Sequence, residues 1–357
     1  MSPAAISHLT AGRSQIGTSL SFHLFFAVLG VGLPLMMLVA EGMHLRTKDP
    51  VWRALARRWA KVFGVLFAVG AASGTIISFE LGLLFPRFMA YAGGIIGLPF
   101  SLEGAAFFIE AIFVGIYLYG WDRLSPRAHW LSGIPIAISA VASAFFIVTA
   151  NAWMNVPRGF EIIHGRVTHV DPVAAMFNPA WATETSHMVF GAYLATAFGI
   201  ASVYAVGMLR GRRDAYHRKA LALALSMAAI LAPLQVAAGD LLGRTVASHQ
   251  PATLAAIEGV THTERGAGLN VGGFPVPVTT VTSSTSRCRM SSAFWRSTTR
   301  RRRFAASTHS RRSTAPRWRH TCASRSLAWS GSGPGWSRSA SGTGCAGAGE
   351  PPDPRIA

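Results

Sequence analysis

A chain of 357 residues that is 50% hydrophobic and only 13% charged does not suit a soluble domain and reads as a polytopic membrane protein. Its formal charge of +18 is unevenly spread: residues 278–357 hold 14 Arg, no Lys and two acids, whereas residues 1–277 hold 19 basic and 13 acidic residues. All three cysteines, Cys288, Cys322 and Cys345, fall in that last segment, so the first 277 residues contain no thiol for a disulfide, an iron–sulfur cluster or thiolate ligation of haem.

Six apolar segments follow in order, at about 17–43, 62–84, 99–121, 131–151, 187–209 and 220–238. About 20 apolar residues cross a bilayer as a helix, so the expected fold is all-α: a membrane bundle of six helices. No basic region or small-residue cleavage site precedes the first segment, which is read as a retained span. The loops alternate in charge. Residues 44–61 carry Arg46, Lys48, Arg53, Arg57, Arg58 and Lys61; residues 122–130 carry Arg123 and Arg127; residues 210–219 carry Arg210, Arg212, Arg213, Arg218 and Lys219. By the positive-inside rule these loops are cytoplasmic, which puts the N-terminus outside.

Ionisable side chains inside these spans are the chemical signal. Each costs at least ~2.5–3.5 kcal/mol in a bilayer, so it needs a functional or structural reason. Span one holds His23, span two Glu80, span three Glu103 and Glu110, and span five opens with His187. Glu103 and Glu110 are seven residues apart, hence on one helical face about 10 Å from each other. With the orientation above, Glu103 is expected at the outer end of its span with Glu110 deeper. The two histidines and three carboxylates are expected to share the outer half of the membrane. Pro135 and Pro233 are read as interruptions of spans four and six.

The loop 152–186 contains Trp153, Pro157, His164, His169, Pro172, Pro179 and Trp181, and reads as an ordered outer cap with surface histidines. After span six, residues 239–275 form a polar outer loop with a short helix near 252–259, suited to the headgroup of a lipid-soluble substrate. From about 278 the chain becomes Arg, Ser, Thr, Gly and Trp without periodicity. A basic arm for nucleic acid fits poorly with a segment on the outer side. Out-of-frame reading of a GC-rich gene gives this composition, so 278–357 is expected to be a disordered tail.

Two intramembrane histidines suit iron in a closed apolar pocket, and carboxylates there suit proton exchange. No CxxCH, Walker A loop, GxGxxG or HExxH occurs, which excludes covalent c-type haem, nucleotide-driven transport, a dinucleotide fold and a zinc protease. A proton-coupled transporter using the same carboxylates is the alternative, as is a truncated, non-functional product. The transporter would predict paired, broken spans in two halves, which this chain does not display.

Several stretches in order carry a family resemblance: RSQIGTSLSFHLFF, WAKVFGVLFAVGAASGTIISFELG, PFSLEGAAFFIEAIFVGIYLYGWDRL, ANAWMNVP, FNPAWATETSHMVFGAYL, and GD followed by QPATLAAIEG. Over roughly 11–277 the chain resembles subunit I of the cytochrome bd-type quinol oxidases. The resemblance implies a terminal respiratory oxidase that oxidises quinol and reduces oxygen to water. Its cofactors are haem b, low-spin and high-spin, and haem d, and its partner is a second membrane subunit. His23 matches the ligand of a high-spin haem and His187 a ligand of the low-spin b haem. Glu103, Glu110 and Glu80 match acids linked to the haem pair and its protons. Asp240, Gln250 and Glu258 match the quinol-oxidising loop. The implied organisation is a haem-binding region over 1–240, the start of the quinol loop over 241–277, and the tail. Three departures accompany it. Thr253 stands where the family has a Lys. Nothing after 277 matches the second, methionine ligand of the low-spin haem. The glutamate ligand of the remaining high-spin haem and the last transmembrane helices are likewise unmatched.

Overall fold

In a computed structural model, the described residues are 8–164 and 166–257, together with the backbone of 269–271 and 286–288, all within one compact unit, Met1–Ala315. Glu258, Met290 and the tail expected over 278–357, apart from the backbone of 286–288, lie outside the described residues.

Among the described residues, six helices are long and apolar enough to cross a membrane. They are α1 (His8–Thr47), α2 (Pro50–Leu84), α3 (Pro86–Tyr119), α4 (Pro126–Asn155), α6 (Trp181–Leu209) and α7 (Ala215–His249); α5 (Pro172–Met176) and α8 (Pro251–Ile257) are short. Polar caps begin three of these helices. Asp49, Ser125 and Asp214 accept backbone N–H bonds at the starts of α2, α4 and α7, with proline in the first turn of α2 and α4. Only Phe85 separates α2 from α3.

Two expectations are corrected here. Pro135 and Pro233 do not interrupt their helices, and Pro34 and Pro99 also sit inside continuous ones. Neighbouring helices and local adjustment accommodate the lost N–H. The segment expected to become a loop at 239 stays helical through His249, so Asp240 lies on α7 and the boundary at 240 moves ten residues on. The short helix expected near 252–259 is present as α8.

The helices pack most extensively as α1 with α2, α3 with α4, and α6 with α7, while α1 also meets α4, α6 and α7. The α1–α6 crossing is close. A Cβ on Gly32 would lie 2.0 Å from Thr196 Oγ1, and that hydroxyl donates to the Val28 carbonyl at 3.2 Å. The three basic loops meet at one end of the bundle: Arg53 and Arg57 both pair with Asp122 across the α3–α4 turn, and Lys219 pairs with Asp49. This is called the basic end. The main core, with Met36, Leu55, Phe63, Tyr117 and Ile136 fully buried, lies towards it.

At the far end, residues 156–180 fold as a cap. An antiparallel hairpin pairs β1 (Glu161–Ile163) with β2 (Arg166–Thr168), and α5 follows. Ala92, Ile95 and Ile96 of α3 pack there against Ala150, Trp153 and Ala175. His164 and His169 are exposed, as the cap reading requires. The backbone of β3 (Leu269–Val271) pairs antiparallel with β4 (Ser286–Cys288).

Candidate functional site

Gln15, Ser19 and His23 repeat every fourth residue and so line one face of α1. That face meets α2. Gln15 Nε2 and the Ser19 hydroxyl donate to Glu80 Oε1 at 3.0 and 2.8 Å. Glu80 is buried, and its Oε2 has no partner. Two turns further along α2, Ser73 Oγ lies 3.0 Å from His23 Nδ1. The same hydroxyl sits 2.9 and 3.0 Å from the carbonyls of Val69 and Gly70, to which it donates. It therefore accepts Nδ1–H from His23. That fixes the tautomer and leaves the Nε2 lone pair free. The ring rests on Gly74, where a Cβ would lie 3.0 Å from its Cε1.

His187 occupies the second turn of α6, facing α7. Gln235 Nε2 stands 3.2 and 3.3 Å from its two ring nitrogens, and Gln235 Oε1 is buried without a partner. The amide thus holds the ring without singling out which ring nitrogen carries the proton. Gly239 lies beneath the ring, a Cβ there falling 3.5 Å from Cε1, and Gly191 opposes Gln235 at 3.4 Å. Gly191 thus serves a close helix contact, whereas a Cβ on Gly199 would meet nothing within 4 Å.

The acids of α3 are placed differently from the sequence reading. Pro99 does not begin the helix; Pro86 does, so Glu103 lies halfway along α3 rather than at its outer end. It interacts with Ser143 near the middle of α4. Glu110 is nearer the basic end, 5% exposed, and makes no hydrogen bond or ion pair among the described residues. The shared outer address is therefore revised. Glu80 and His187 lie towards the far end, Glu103 is central, and Glu110 belongs to the basic half. No hydrogen bond or ion pair among the described residues joins His23, His187, Glu80, Glu103 and Glu110 to one another.

Asp240 follows Gly239 on α7 and pairs with Arg244 at 2.6 Å, one turn on. Gln250 caps α7, is buried, and keeps an unpartnered Nε2.

Ser73, Gln235, Gln15 and Ser19 were not singled out from sequence. Neither was a cluster at the basic end. There the Tyr117 hydroxyl donates to Glu41 Oε2 at 2.6 Å, His129 Nδ1 lies 2.7 Å from Glu41 Oε1, and His129 Nε2 donates to the Tyr117 carbonyl at 2.9 Å. All three residues are at most 3% exposed. The rule that flagged Glu103 and Glu110, an acid within an apolar run, also applies to Glu41 in LMMLVAEGM.

As a donor set, the two histidines fit iron in a porphyrin. Each is held by a neutral polar partner and has a glycine against the ring, and His23 keeps its Nε2 available. No cluster of three or more His, Cys, Asp or Glu occurs among the described residues.

Residues 11–292 match the family described as cytochrome bd terminal oxidase subunit I, a stretch reaching beyond residue 277. A Bacillus subtilis (strain 168) protein described provisionally as a cytochrome bd menaquinol oxidase subunit I is 42% identical over 273 residues, 75% of this chain and 62% of its own length. The cytochrome bd-II ubiquinol oxidase subunit 1 of Escherichia coli (strain K12) is 34% identical over 257 residues, 71% of this chain and 50% of its own. The structure of the bd oxidase from Geobacillus thermodenitrificans superposes with a TM-score of 0.71 at 42% identity, covering 74% of this chain and 61% of that one. The chain thus spans between half and two thirds of the relatives it matches.

Proposed function

Since the chain belongs to the cytochrome bd terminal oxidase subunit I family, we propose that it is the haem-bearing membrane subunit of a quinol:oxygen oxidoreductase. In this reading the far end faces outward and the basic end faces the cytoplasm of a bacterial cell, following the positive-inside rule. Quinol releases electrons and protons at the far end, and oxygen takes up electrons and protons to become water.

The observation that carries the reading is the pair of prepared histidines on separate helix pairs. Ser73 holds the His23 ring by Nδ1, leaving its Nε2 to a ligand, and Gln235 holds the His187 ring. His187 would ligate the low-spin haem b and His23 a high-spin haem, b or d. When bound, these haems supply the one-electron steps and the oxygen chemistry that no side chain here can perform. The protein's own part is to orient the ligands and manage protons. Glu103 and Glu110, on one face of α3, move protons along that helix, because a carboxyl in an apolar wall can accept and release one within reach of neighbouring groups or water. Glu80 closes the seam beside His23 through Gln15 and Ser19. Asp240 stands next to the glycine under His187, a position suited to taking a proton from quinol. Gln250, at the end of α7, belongs to the same quinol reading, as does Glu258 by its sequence match. A second membrane subunit completes the enzyme.

Membranes containing the chain with its partner subunit test this directly. Reduced-minus-oxidised spectra should contain low- and high-spin haem signals. His187→Ala should remove the low-spin b signal and His23→Ala the high-spin ones. Absence of haem absorbance in the parent would overturn the reading for this chain.

A further inference from the structure

A groove enclosing about 1390 Å³ runs along α1, α2 and α6 and opens at the basic end of the bundle. It belongs to neither histidine site. Its walls are apolar side chains such as Leu24, Leu33, Val62 and Val203. Along α1 it extends from Ser21 to Leu33, about 18 Å at 1.5 Å per residue, a length that suits an acyl chain. Its other end opens among Arg58, Arg210 and Arg212, which are exposed and form no ion pair among the described residues. The acid nearest in sequence, Asp214, is occupied by the backbone N–H and ring of His217. Beside the arginines, Trp59 donates to the Tyr204 hydroxyl at 2.9 Å, which in turn lies 3.5 Å from the Tyr216 hydroxyl. Apolar walls, an aromatic cluster, and three guanidinium groups without an ion-pair partner among the described residues occur in the order in which a phospholipid presents chain, glycerol and phosphate.

We propose that this groove binds an anionic phospholipid of the leaflet at the basic end, with its phosphate on Arg58, Arg210 and Arg212 and an acyl chain along α1 and α6. Guanidinium groups suit phosphate because they donate in a planar fork. The assignment does not depend on the oxidase reading. It commits to lipid over a protein helix because a neutral apolar helix would fill the walls yet leave three positive charges without a counter-charge.

The test uses the full chain, purified in a neutral detergent and titrated with phosphatidylglycerol or with phosphatidylcholine of the same acyl chains. Bound lipid is counted by native mass spectrometry. One phosphatidylglycerol per chain should be retained in preference to phosphatidylcholine. Arg58→Gln, Arg210→Gln and Arg212→Gln should each weaken retention about fivefold, and the triple variant should abolish the headgroup preference. Gly199→Leu, where an added Cβ meets nothing within 4 Å, should fold normally and reduce retention of both lipids by filling the groove. Equal retention of both lipids by the parent chain overturns the proposal. So does a Gly199→Leu variant that binds as the parent does, since binding would then be only surface attraction. Release of the lipid when the partner subunit is added would assign the groove to protein instead.

Discussion

Ser73 Oγ lies 3.0 Å from His23 Nδ1, fifty residues away in sequence, and is itself anchored to the carbonyls of Val69 and Gly70. The bond orients the ring before any ligand arrives. If His23 holds a haem as proposed, Ser73→Ala should weaken its binding by about 10- to 100-fold, the usual effect of losing a ligand's outer partner. The check is haem titration followed by the high-spin absorbance, with the low-spin signal proposed for His187 as internal control.

Glu110 is buried and unpaired among the described residues, so its carboxyl contributes no bond that a glutamine would lose. Glu110→Gln should leave helix content and thermal unfolding near those of the parent. Quinol-driven oxygen uptake should fall by about 10²-fold or more, the scale of a positioned proton-transfer group. An unchanged rate at intact haem content would remove Glu110 from the proton path.

At the basic end the Glu41, His129 and Tyr117 ring joins α1, α3 and α4. His129→Ala leaves the buried Glu41 carboxylate short of a partner and should cost about 3–5 kcal/mol of stability. Glu41→Gln keeps an acceptor for Tyr117 and should cost much less, about 1 kcal/mol. A double-mutant cycle read by thermal unfolding should give a coupling of the same sign, because the residues share one network.

Gly32→Ala should push α1 away from α6, since the new Cβ would lie 2.0 Å from Thr196 Oγ1 and 2.4 Å from its Cβ. Overpacking of this kind costs about 1–3 kcal/mol. Thr196→Ala should not rescue it, because the Cβ remains, whereas Thr196→Gly should.

Outside the membrane, hydrogen bonds from His217 hold the Asp214 carboxyl below the usual carboxylate range at the start of α7. A depressed folded pKa means that its stabilising contribution is present above the unfolded value and is lost as pH falls through the folded one. Hydrogen exchange in the first turn of α7 should accordingly rise in acid, below the ordinary Asp range, and Asp214→Asn should flatten that dependence.

The sequence by itself determined the six spans, because about 20 consecutive apolar residues have no other stable use in water. It determined the chemical suspects as well, since His23, Glu80, Glu103, Glu110 and His187 are costly where they stand. Tertiary structure decided what each suspect touches. Ser73, Gln235, Gln15 and Ser19 look like unremarkable polar residues until helix pairing brings them against a histidine or an acid. Helix length beyond the apolar run was likewise a tertiary matter. Pro86 begins a helix that packs under the cap, and α7 continues to His249, which moved Glu103 to mid-helix and Asp240 onto α7. Glu41 and His129 escaped notice because each sits near a span end, where a charge is cheap; only packing from three sides makes them buried. A linear chain displays the cost of placing a polar group in an apolar run, but the partner that offsets the cost lies on another helix, and only the fold supplies it.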